Sequence, residues 1–68
     1  MTFTVEHQQE EDGRWLAEVL ELPGVLAYGQ MSKEAVAKAQ ARALRLLEDR
    51  LKHGESEHKF DNIKFVTA

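Results

Sequence analysis

Polar and apolar residues alternate at the start of the chain. Phe3, Val5 and His7 fall on one side, and Thr2, Thr4, Glu6 and Gln8 on the other. A period of two with β-branched and aromatic members predicts a strand. The run "EEDG" follows and ends in Asp12-Gly13, a pair suited to positive φ that reverses the chain into a hairpin. The returning strand is "RWLAEVLEL". Trp15, Ala17 and Val19 lie on one side of it, and Arg14, Leu16, Glu18 and Leu20 on the other. Both sides are partly apolar, which predicts an interior strand. Leu22-Pro23-Gly24 then turns the chain, with proline presetting φ and glycine accepting positive φ. A short third strand, "VLAYG", ends at Gly29.

From there the period changes to that of a helix. Ser32 is placed to cap it by accepting a bond from a backbone N–H one turn in. Neither glycine nor proline occurs from Lys33 to His53. Val36, Ala39, Ala43, Leu46, Leu47 and Leu51 make an apolar stripe, while Ala35, Ala39 and Ala43 allow close approach to a sheet. Glu34–Lys38, Arg45–Asp49 and Glu48–Lys52 are i,i+4 pairs on the other face. Gly54 is the natural terminator. "ESEHK" reads as polar loop, and alternation in "FDNIKFVTA" sets Ile63 and Phe65 against Lys64 and Val66 in a last strand. The order β-β-β-α-β predicts a two-layer α+β domain spanning 1–68, with one long helix on a small, mainly antiparallel sheet.

Length and charge sharpen this picture. A chain of 68 residues buries only about 60% of the surface its unfolded form exposes, so its core is thin. Such folds add a staple. There is no cysteine, so disulfides and thiolate metal sites are excluded and self-association is the expected staple. No basic-then-apolar leader and no apolar run of membrane-spanning length is present, which predicts a cytoplasmic protein. Net charge is −3. Residues 1–30 hold one base, Arg14, against six acids: Glu6, Glu10, Glu11, Asp12, Glu18 and Glu21. An acidic surface attracts basic proteins and repels phosphate backbones, although a charge run is also an ordinary solvated face.

Chemistry is sparse. His7, His53 and His58 lack the spacing that places two zinc ligands on one helical face. Glu10, Glu11 and Asp12 cluster at a hairpin tip, where no dry pocket splits their pKa values. No nucleophile motif or phosphate loop is present. Lys38, Arg42 and Arg45 form a basic ridge that reads as the solvated face of the helix. Of Trp15 and Tyr28, one is expected in the core and the other partly exposed. No enzyme activity, cofactor or metal is expected.

The string "DGRWLAEVLELPGVLAYG…EAVAKAQARALRLLE" resembles the HicB-like antitoxin family. Asp12-Gly13, Trp15, Ala17, Glu18, Leu22-Pro23-Gly24, Gly29 and Glu34-Ala35 carry the likeness. Gln30 and Met31 stand where the family carries an acid and a hydroxyl, and the hydroxyl comes one residue later at Ser32. The resemblance implies a partial ribonuclease-H-like fold that neutralises a small basic, mRNA-cleaving toxin (HicA) by covering its active surface. It also implies a homo-oligomer. Many relatives continue into a DNA-binding segment, whereas this sequence ends with its last strand, so direct DNA binding is not expected. The surface expected to meet the partner comprises Glu10, Glu11, Asp12, Glu18 and Glu21, with Tyr28 as apolar anchor. The turns and cap are Asp12, Gly13, Pro23, Gly24, Gly29, Ser32 and Gly54. The alternative is a structural or oligomerisation domain of the same fold without a toxin partner.

Overall fold

The computed structural model describes residues 1–54 and 62–68. The expected polar loop "ESEHK", His58 and the first residues of "FDNIKFVTA" lie outside them. The elements are β1 (Thr2–Gln9), β2 (Trp15–Val19), β3 (Leu26–Gly29), α1 (Ser32–Lys52) and β4 (Lys64–Thr67). The protein is α+β: four strands in the order β3-β2-β1-β4, with one long helix packed on the sheet. β2 is antiparallel to both β1 and β3, and it is interior as its two-sided apolar pattern predicts. β4 runs parallel to β1, so the sheet is mixed.

Turn chemistry sets the register. Gly13 takes φ +93° and donates to the Glu10 carbonyl at 3.0 Å, while Glu10 N–H reaches the Arg14 carbonyl at 2.7 Å. The strands that emerge pair Val5 with Val19 and His7 with Ala17. At the second reversal Val25 N–H bonds the Leu22 carbonyl at 3.0 Å across Pro23-Gly24, with Gly24 at φ +89°. Proline followed by a glycine of positive φ is the type II pattern.

The core lies between the sheet and α1. Phe3, Val5, Ala17, Val19, Ala27, Ala35, Ala39, Ala43 and Leu47 are buried there. The helix presents mostly methyl groups, as the Ala35-Ala39-Ala43 spacing predicts, and Ala17 and Ala27 pair across the strands. Small residues on both layers bring backbones close and maximise dispersion contacts. The largest fully buried side chains are only Val5 and Val19. Trp15 is half-buried against this core, whereas Tyr28 is 40% exposed.

Three helix details depart from expectation. Ser32 is not the cap. Met31 holds that position in extended backbone (φ −130°, ψ 153°) without a side-chain cap bond, and Ser32 is the first helical residue. Its hydroxyl lies 3.1 Å from His7 Nδ1 on β1, so a tertiary contact claims it. Second, Leu51, on the expected apolar stripe, is 52% exposed. Third, Arg45 and Asp49 do not close an ion pair; Asp49 instead lies 3.7 Å from His53 Nδ1. Glu34–Lys38 (3.8 Å) and Glu48–Lys52 (3.3 Å) do pair. Gly54 follows the helix C-cap His53 at φ +69°.

Candidate functional site

α1 covers one face of the sheet, and the described residues leave the other face uncovered. Alternation decides what that face presents. Phe3, Val5, Ala17, Val19 and Ala27 point to the helix. Their neighbours Thr4, Glu6, Gln8, Leu16, Glu18, Leu26, Tyr28 and Val66 therefore point away from it.

At the centre of this face Glu6 on β1 sits directly opposite Glu18 on β2. Like charges at directly opposed strand positions repel. Among the described residues neither carboxylate has a basic group within ion-pair distance. Leu16 lies next to them, facing Gln8 on one side and Tyr28 on the other. A depression of about 220 Å³ opens here, lined by Glu6, His7, Gln8, Leu16, Glu18 and Ala68. Glu6 is absent from the partner surface expected from the sequence. Its side of the alternating pattern was visible, but its opposition to Glu18 follows only from the hairpin register.

The six expected partner residues do not form one patch. Glu18 and Tyr28 share the open face. Glu10, Glu11 and Asp12 lie beyond one end of β2, at the hairpin tip. Glu21 lies beyond the other end, the two groups separated by roughly 17 Å of strand. Two of the five carboxylates among them are engaged within the fold. Glu21 accepts the Thr4 N–H at 2.7 Å and the Thr4 hydroxyl at 2.8 Å, continuing the ladder where β2 stops. Those bonds, the backbone one first, hold its carboxyl below the ordinary glutamate value. Asp12 accepts the Arg14 N–H at 3.0 Å and the Arg14 Nε–H at 2.8 Å, which likewise lower its pKa, the backbone bond first. The same guanidinium lies 4.4 Å above the Tyr28 ring. Tyr28 is thus stacked under a cation rather than standing free, and the residue remains partly exposed.

The basic ridge is also partly engaged. Lys38 pairs with Glu34, and Arg42 Nη1 donates to the Leu26 carbonyl on β3 at 2.6 Å. Of the histidines, His53 Nδ1 lies 2.9 Å from the Asp49 carbonyl, and His7 stacks near Trp15 at 5.8 Å besides meeting Ser32. Among the described residues no three His, Asp or Glu side chains converge as metal ligands. No helix among them is long and apolar enough to cross a membrane. The arrangement offers contact chemistry: two unneutralised carboxylates beside Leu16 and a stacked tyrosine. Comparisons with family models, with curated proteins and with solved structures give no match.

Proposed function

We propose that this chain is a cytoplasmic protein-binding module of the HicB-like antitoxin type. It neutralises a small basic, mRNA-cleaving partner by covering that partner's active surface, and it works as a homo-oligomer. The observation that carries this reading is the Glu6–Glu18 opposition at the centre of the open face. In the free protein two facing carboxylates repel. Against a cationic side chain the same pair is an attractive, partly preorganised acceptor. Leu16 and Tyr28 beside it add apolar area of the kind that anchors protein interfaces. The resemblance of the Asp12–Leu47 string to HicB-like antitoxins names the partner class.

The test is titration calorimetry, at low and at high salt, between the chain and the product of the adjacent open reading frame, which this reading expects to be a small basic protein. Wild type binds with an affinity that falls as salt rises. Glu6→Lys with Glu18→Lys weakens binding by about 100-fold or more, as expected when two charge-assisted contacts become repulsive. Unchanged binding of that double variant at low salt would remove the open face from the function.

A further inference from the structure

The two edges of the sheet are not equivalent. On β3 the backbone groups of Leu26 and Tyr28 point outward, because Val25 spends its carbonyl on β2 through the Val19 N–H. Arg42 reaches from α1 and occupies the Leu26 carbonyl at 2.6 Å. A charged side chain laid on an edge discourages further strand pairing. Among the described residues no side chain bonds the outward backbone of β4, whose one charged residue, the exposed Lys64, stands at the first position of the strand. Lys64 and Ala68 turn their N–H groups to Met1 and Val5 of the β1 side. Phe65 and Thr67, which alternate with them, therefore direct their N–H and C=O groups outward.

We infer that two copies of this chain pair antiparallel through β4, with Val66 on the two-fold axis, making one continuous eight-stranded sheet. This rests on the self-association included in the proposed function and adds to it an edge and a register. Centring the axis on Val66 sets Phe65 opposite Thr67 of the second copy, so the outward groups of both residues bond reciprocally. Four cross-strand hydrogen bonds result. Val66, 44% exposed in the single chain, packs on its own symmetry mate. Lys64 falls opposite Ala68, so no like charges oppose along the strand. A small core with no cysteine has the most to gain from such a partner.

Two variants test the edge without touching the core. Val66→Lys places like charges on the axis at an exposed site. Thr67→Pro deletes an outward donor that the β1–β4 ladder does not use, a position where an edge strand tolerates proline. Sedimentation equilibrium across a wide concentration range measures association, and far-UV circular dichroism reports the fold. The expected result is a wild-type monomer–dimer equilibrium whose dissociation constant rises about tenfold or more in each folded variant. A wild-type dimer that either folded variant leaves unweakened overturns the β4 assignment and leaves self-association standing. A wild type that stays monomeric throughout overturns both.

Discussion

Glu21 shows how one carboxylate can look like surface charge and act as backbone. Counted along the sequence it joins an acidic half; in the fold it takes the place of a missing strand acceptor for Thr4. Its carboxyl is held below its ordinary value of 4.5, as that of Asp12 is below 3.8. The unfolded chain therefore takes up these protons at higher pH than the folded chain does. The stability contributed by each is complete above its ordinary value and is lost as pH falls through the lowered one. Urea midpoints recorded from neutrality down to about pH 3 should decline on the acid side, and Glu21→Gln should flatten that decline while lowering the neutral plateau. Gly29 is a second residue whose role is spatial. A Cβ there would lie 2.7 Å from the Ala35 backbone nitrogen and 2.8 Å from Glu34 Oε1. Backbone on one side and a bonded carboxylate on the other leave little room to yield. Gly29→Ala should cost about 1–3 kcal/mol in urea denaturation, the range for an overpacked site. The glycine itself was legible as the end of β3; the need for it came from how closely β3 meets the start of α1.

At the scale of elements, the helix was the most legible part and its first residue the least. Propensity, stripe and charge pairs all point to Lys33–His53, and α1 spans Ser32–Lys52. Ser32 satisfies sequence rules equally as a cap or as the first helical residue. His7, twenty-five positions earlier, decides between them by claiming the hydroxyl. Glu34 compensates in part by reaching back to the Gln30 N–H at 2.6 Å. Met31 is left as an uncapped N-cap that is 65% exposed. Met31→Ser should then supply the missing acceptor and add about 0.5–2 kcal/mol. Thermal melts should register it as a rise of about 4–8 °C per kcal/mol for a domain of this size. The far end follows from lengths. Twenty-one helical residues span about 31 Å, nearly twice the reach of the five-residue β2. Leu51 is apolar by pattern and exposed, as a helix that outreaches its central strand allows.

For the whole molecule, alternation told which residues share a face but not which strands are neighbours. The layers were therefore legible and the parallel β1–β4 pairing was not. The same limit dispersed the expected binding surface. Charge summed over residues 1–30 suggested one acidic patch, but the hairpin carries Glu10, Glu11 and Asp12 beyond one end of β2 and leaves Glu21 beyond the other. What concentrates charge is the register of β1 against β2, which sets Glu6 against Glu18. That pair does not follow from Asp12-Gly13 as a two-residue turn, which would set Glu6 against Val19; the loop closes Glu10 on Arg14 instead, and its extra residue shifts every pairing behind it by one.

The adjacency of β1 and β4 also has a consequence for biosynthesis. Phe3 packs against Phe65 with ring centroids 5.8 Å apart, so the first strand is completed by one synthesised after β2, β3 and α1. Until residues 64–67 emerge, the nascent chain carries an unfinished apolar border along Phe3 and Val5. Late closure of this kind places the hazard of misassembly in translation rather than in the finished protein.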